Sequence, residues 1–508
     1  MISKSPRFKA VYLSLSVLTL IFLSVNFVSN NTEISTELLF SEENKLIPEN
    51  GKVGYFYGSS LSISGEYVIV GDTGRAYIFK KDPEKNTWSF QQMLEEPKGN
   101  RREQFGAVVA ISDGYAIVGE HSDNDIYDIG GAAHIFKMDE KTKTWSHMQK
   151  LTPSDLADHD NFGNSVAIHG DYAIVGSIAD DDMGFESGSA YIFKRDEGKE
   201  TWSETSKLTA SDGEVHDFFG ESVAIYGDYA IVGAFCDDHI GIDSGSAYIF
   251  KKDPGKETWM QNQKLTVINS SDNNYFGCSV DIYENYAVVG AYCHDELGYG
   301  TGLANIYKLD EIKGTWDLKR TLMASDAKYG HYFGCSVSIY GDYTIVGAYG
   351  DYRELDYRFA YDWGAAYIFS KNQDGPDMWG QIKKLTASDG QNYDRFGASV
   401  AISENKAVVG TLITPVLSPN RKGSAYVFEH PKGKLQVLIK SKKAVRAGAM
   451  WHLEGMEKWL ESRSTITINA GEETIVFKKI KTWRNPKKQK IIIEANKTTK
   501  VVVKYKPR

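Results

Sequence analysis

The pair Phe-Gly returns along this chain at a fixed distance. Its glycine falls at Gly106, Gly163, Gly220, Gly277, Gly334 and Gly397, and Tyr57-Gly58 sits in the same frame. The spacings are 48, 57, 57, 57, 57 and 63 residues. Self-similarity at a constant period marks an architecture in which one supersecondary unit is built again and again. Seven such units leave little room for any other organisation of the first 430 residues.

The unit beginning at Phe219 is the best formed. Ser222-Val223-Ala224-Ile225 reads as a first strand, and Gly227-Asp228 as a tight turn. Tyr229 to Ala234 is almost wholly apolar, as for a strand covered on both faces. After a loop of Asp and Gly, Ser246 to Phe250 alternates as a third strand, and Trp259 to Leu265 as a fourth. No 3.6-residue period appears, which excludes a helical solenoid. Four short antiparallel strands repeated seven times predict an all-β chain, a seven-bladed β-propeller over residues 35–430. The seventh unit stops at Phe428 without its Trp…Lys-Leu-Thr strand. Residues 38–50 contain Lys45-Leu46-Ile47-Pro48-Glu49-Asn50, similar to Lys207-Leu208-Thr209-Ala210-Ser211-Asp212. The N-terminal strand is therefore expected to complete the last blade and remove two free sheet edges.

These residues resemble the FG-GAP repeat family, the propeller of integrin α-chain headpieces and of many bacterial surface proteins. Phe-Gly opens each unit, and Val-Gly-Ala closes the second strand at Val232-Gly233-Ala234, Val289-Gly290-Ala291 and Val346-Gly347-Ala348. The resemblance implies a rigid extracellular binding scaffold and no particular chemistry. Calcium-binding members carry a D-x-D-x-D-G loop between the first two strands. Here that place holds only Gly170-Asp171, Gly227-Asp228, Glu284-Asn285 or Gly341-Asp342, too few oxygens for Ca²⁺.

In such a ring the loops between second and third strands and those between blades crowd one face. They are acidic and interleaved with tyrosine. A calcium ion bridged by Asp180, Asp181 and Asp182, or by Asp237 and Asp238, is one reading of these acids, and solvated turn acids are the other. The sixth unit's loop from Tyr349 to Trp363 breaks the repeat pattern. Its Tyr349, Tyr352, Arg353, Tyr357, Arg358 and Trp363 are the candidate contact residues for a protein or glycan. The period places Cys236 beside Cys278 and Cys293 beside Cys335, which favours those two disulfides. Cys278–Cys293 and four free thiols are the alternatives.

Composition changes at Gly433. From there the chain has 19 Lys and Arg against 6 Asp and Glu, a net +13; residues 1–432 have 39 against 61, a net −22. Alternating segments such as Thr465-Ile466-Thr467-Ile468 predict a small β-sandwich over 434–508. Ala447-Gly448-Ala449-Met450-Trp451 and Trp483-Arg484-Asn485-Pro486 make it similar to PEGA-like modules of bacterial surface proteins. This basic part is expected to meet an anionic envelope surface or the acidic propeller. Lys4, Arg7 and Lys9 precede an apolar run from Ala10 to Val28, so residues 1–30 read as a signal peptide or an N-terminal membrane anchor. The rest is expected at the cell surface or outside the cell.

The overall charge of −9 argues against nucleic acid. There is no H-E-x-x-H, no nucleophile elbow and no phosphate loop. The expectation is a non-catalytic adhesion or recognition protein. An envelope scaffold and a polysaccharide hydrolase or lyase are the rival readings.

Overall fold

The computed structural model describes residues 40–508 except 49–52, 55, 98–103, 124–128, 268–271, 296–297, 351–362, 374, 376, 414–420, 455, 457 and 496. The expected signal or anchor lies outside the described residues. Among them, no helix is long and apolar enough to cross a membrane. The chain divides into Met1–Ser35 and Thr36–Arg508, and every described element belongs to the second unit.

From Leu61 to Glu429 the strands form repeated four-stranded antiparallel sheets, seven in all among the described residues. Six take four consecutive strands. The fourth sheet, for instance, is Phe219–Tyr226, Tyr229–Ala234, Ser246–Lys252 and Trp259–Leu265. The seventh takes Ser399–Ser403, Lys406–Gly410 and Ala425–Glu429, and Ser41–Leu46 pairs antiparallel with the last of these. The first strands pack against one another in an unbroken circle, with Ser399–Ser403 against Leu61–Ser64. This is propeller architecture.

The first strand starts earlier than its alternation suggested, at Phe219 and not Ser222. A bulge between Phe219 and Ser222 allows this. Bulges re-aim side chains. Phe219 is fully buried and stands edge-on to Tyr248 and Phe250, at 5.5 and 5.9 Å between ring centres. Ser222 Oγ donates across the junction to Gly277 O at 2.6 Å. The same bond recurs from Ser165 to Gly220, Ser279 to Gly334 and Ser336 to Gly397, and from Ser399 to Gly58 where the last sheet meets the first.

Three fourth-strand tryptophans add a second tie. Gln92 both donates to Trp145 O and accepts from Trp145 N; Gln149 does the same with Trp202, and Gln263 with Trp316. A second-strand tyrosine meets the neighbouring sheet's tryptophan edge-on, as Tyr115 does Trp202 at 5.9 Å. Junctions thus combine packed rings with polar side chains that satisfy the facing backbone, which is what a stack of otherwise marginal small sheets requires.

After Glu429 the pattern changes. Lys432–Ile439 pairs antiparallel with Thr465–Asn469 and parallel with Thr498–Val503. A second three-stranded sheet holds Trp451–Leu453, Gly471–Phe477 and Gln489–Ile493. A short helix, Lys442–Arg446, follows the first strand. The two sheets share one core around Leu435, Trp451, Ile475, Phe477 and Tyr505.

All four cysteines are free, so neither Cys236–Cys278 nor Cys293–Cys335 is formed. The thiols of Cys278 and Cys335 point instead at Gly334 O and Gly397 O, at 3.5 and 3.4 Å. A residue that follows Phe-Gly thus lies over the next sheet's glycine carbonyl. Burial pushes Cys293 up to about 11 and both Cys278 and Cys335 up to about 12, so these thiols stay protonated and inert at neutral pH.

Candidate functional site

Two positions of the repeat meet at the loop end of the first strands. One is the residue before Phe-Gly. It is left-handed throughout, with φ of 55° at Gln104 and Asn161, 54° at Phe218, Tyr275 and Tyr332, and 49° at Arg395. A bulky residue in that conformation is unusual and is held by its surroundings. The other is the residue directly after the second strand. Across sheets four to six both positions are aromatic.

The result is a continuous arc of rings that crosses two sheet boundaries, with an arginine at the third. Phe218 stacks on Phe235 at 5.7 Å, and Phe235 meets Tyr275 at 5.7 Å. Tyr275 stacks on Tyr292 at 5.4 Å. Tyr292 reaches Tyr332 and Tyr349 at 6.1 and 6.5 Å, and those two stack at 5.1 Å. The Arg395 guanidinium closes the arc, 5.8 Å from the Tyr349 ring centre. Every member is half-buried, packed on its neighbours yet open on one side. In sheets two and three the same positions carry smaller or polar residues, Gln104, His121, Asn161 and Ile178, and sheet one pairs an exposed Phe56 with Thr73.

Beneath the arc lies the residue that follows each Phe-Gly. Asn164 Nδ2 donates to Glu221 Oε2 at 3.5 Å. Burial raises the Glu221 carboxyl to about 7. Its folded value therefore exceeds its ordinary value of 4.5, so its contribution to stability is full below that pH and is lost as pH rises through about 7. Glu221→Gln is expected to melt higher than wild type at pH 8 and to lose that advantage near pH 4.5. Melting curves across this range check it. An advantage that does not depend on pH contradicts it.

The acidic loops are held from within. Lys207 Nζ lies 2.8 Å from Asp155, 2.9 Å from Asp180 and 2.5 Å from Asp182. Tyr191 OH donates to Asp180 at 2.6 Å and to Asp155 at 3.0 Å. Lys264 and Tyr248 repeat the arrangement with Asp212 and Asp237. Burial alone would lower Lys207, but its bonds to Asp155, Asp182 and Asp180 outweigh that and raise it. Asp181 accepts from Glu186 N and Asp238 from Asp243 N, each setting a loop turn. Where a calcium ion was considered at Asp180–Asp182 and Asp237–Asp238, the cation present is a lysine ammonium.

Of the residues singled out in the sixth unit's loop, Tyr349 is in the arc. Trp363 is half-buried, and its carbonyl accepts from Phe396 N at 3.0 Å. Tyr352, Arg353, Tyr357 and Arg358 lie outside the described residues. Phe218, Phe235, Tyr275, Tyr332 and Arg395 went unnoticed in the sequence. Their signal was available in the repeat frame, as the residue before Phe-Gly and the one after Val-Gly-Ala.

At the opposite end, where the first strands turn into the second, all seven sheets line a cavity of about 440 Å³. His169, Tyr226, Tyr283 and Tyr340 pack in series around it, at 4.3, 4.9 and 4.4 Å between centres. The C-terminal region touches the sheets near this end. Asn469 Nδ2 donates to Tyr343 OH at 3.1 Å, and Lys432 lies 3.9 Å from Glu404.

A circle of four-stranded sheets, six of them preceded or opened by Phe-Gly and four of those carrying a bulge there, defines the class to which this chain belongs. Residues 88–136, 145–193, 202–250, 259–307, 316–369 and 379–428 match the FG-GAP repeat model, together more than half of the chain. The protein is a member of the FG-GAP repeat family. No curated protein matches it. Similar solved structures include a structural-genomics crystal structure of a protein from Lactobacillus plantarum, with a TM-score of 0.42 and 11% identity over 66% of this chain and 86% of that one. Saccharomyces cerevisiae Sqt1 is another, with a TM-score of 0.41 and 8% identity over 73% and 84%. Likenesses at this level carry no functional information.

Proposed function

We propose that this protein is an exported, non-catalytic binding protein. In this reading it is a seven-bladed propeller over residues 35–430, followed by a PEGA-like β-sandwich over 434–508. It recognises an extracellular protein or glycan on its loop face. The observation that carries the reading is the unbroken arc from Phe218 to Arg395. Half-buried rings already fixed by stacking offer apolar contact at small entropic cost, and aromatic residues with Arg are the usual anchors of an interface. The basic C-terminal region touches the sheets at the other end. In this reading it holds an anionic envelope while the arc faces outward.

The test is a binding screen of the full chain against surface polysaccharides and envelope proteins, with Tyr332→Ala and Tyr349→Ala beside wild type. Loss of one anchor of about 2 kcal/mol weakens binding roughly 30-fold. A polysaccharide hit and a protein hit separate the two ligand classes. Undiminished binding by both variants sinks the arc as the site, and turnover of a polysaccharide would replace the reading with the hydrolase or lyase.

A further inference from the structure

Sheet two departs from sheets three and four at one buried spot. In sheets three and four the third strand carries Tyr191 or Tyr248 opposite Lys207 or Lys264, and the second strand ends in Ser177 or Ala234. In sheet two the tyrosine is replaced by His134, opposite Lys150, and the small residue by Glu120. Asp123 keeps the place of Asp180 and Asp237: its N–H bonds Glu120 O as theirs bond Ser177 O and Ala234 O.

The paired replacement has a geometric result. The ligand atoms of Glu120, Asp123 and His134 all lie within 4.8 Å of one another, the only such group of three among the described residues. Glu120 and His134 are each 1% exposed and Asp123 is 4% exposed. His134 Nε2 is 2.8 Å from Glu120 Oε2. Its other nitrogen, Nδ1, is 3.0 Å from His147 Nε2. An imidazole fixed through one nitrogen by a second polar group, with carboxylates at the other, is how metal-bound histidines are commonly oriented. A phenol in the same frame offers no such ligand.

We propose that Glu120, Asp123 and His134 bind a first-row divalent cation, Zn²⁺ or Mn²⁺, with His147 as the positioning residue for His134. One nitrogen and two carboxylate ligands suit these ions, and the donor set is unlike the oxygen-only shells of Ca²⁺. Lys150 pairs with Asp123, and its side chain is 25% exposed. The ammonium is therefore the competitor the metal displaces, and it has a path to solvent.

The experiment is calorimetric titration of the EDTA-dialysed full chain with Zn²⁺ and, separately, Mn²⁺. Wild type is expected to take up one equivalent of at least one ion. Glu120→Ser with His134→Tyr installs the residues sheet three uses at these positions, so the fold has a working precedent, and that equivalent is expected to vanish. His147→Ala is expected to weaken it by about 10- to 100-fold, the usual cost of losing an orienting partner. Lys150→Met, which removes no donor, is expected to tighten it. No uptake by wild type overturns the proposal, and so does equal uptake by the double variant.

Discussion

Lys81→Met is expected to destabilise the protein by about 3–5 kcal/mol, the range for breaking a buried ion pair from one side. Lys81 belongs to the first sheet and Glu429 to the seventh, so their pair spans the junction where the two ends of the ring meet. Lys81 Nζ lies 2.5 and 2.7 Å from the two carboxylate oxygens of Glu429. Trp88 Nε1 donates to the same carboxylate at 3.0 Å. Both charged side chains are 8% exposed. Without the ammonium, Glu429 is left as a buried anion with one neutral donor. Urea unfolding measures the cost, and Lys81→Met with Glu429→Leu is expected to recover most of it, because two apolar groups leave no orphaned charge. A single-variant cost below about 1 kcal/mol would show that water reaches this junction.

Gly233→Ala is expected to cost about 3 kcal/mol or more, at the upper end for overpacking a core. A Cβ there would stand 1.9 Å from Gly277 O and 2.4 Å from Ser222 Oγ. Both are partners in the bond that ties sheet four to sheet five. Backbone on the far side cannot step away without opening that junction. Gly290, Gly347 and Gly410 meet the next sheet's glycine carbonyl in the same way, at 2.0, 1.9 and 1.9 Å. Gly198→Ala is the control, since its added Cβ meets only Asp196 Oδ1, at 3.4 Å. Comparable melting temperatures for the two variants would refute the close approach at the junction.

The recurring Phe-Gly frame was legible because it is local and periodic. An apolar second strand such as Tyr229–Ala234 announces that both its faces are covered. A fourth strand opened by tryptophan and closed by leucine shows the same end points in unit after unit. The left-handed Phe218 and the bulge after Phe219 were not legible, since alternation alone starts the strand at Ser222.

The site divides along the same line. Local sequence pointed to acidic loops and to Tyr349, but not to what surrounds them. Asp180 is neutralised by Lys207, 27 positions away on the sheet's outermost strand. Glu120 meets His134, and His134 meets His147, only because the second, third and fourth strands of one sheet lie side by side. The rings from Phe218 to Tyr349 touch only because successive sheets are wrapped around a common centre. By itself the sequence determined the repeat, its four strands and its family, because hydrophobic period and turn chemistry act over a few residues. Only the tertiary structure decided which charges are already paired, which thiols stay free and which rings form one surface. Those outcomes depend on distances between residues far apart in the chain, and only the closed circle of sheets sets them.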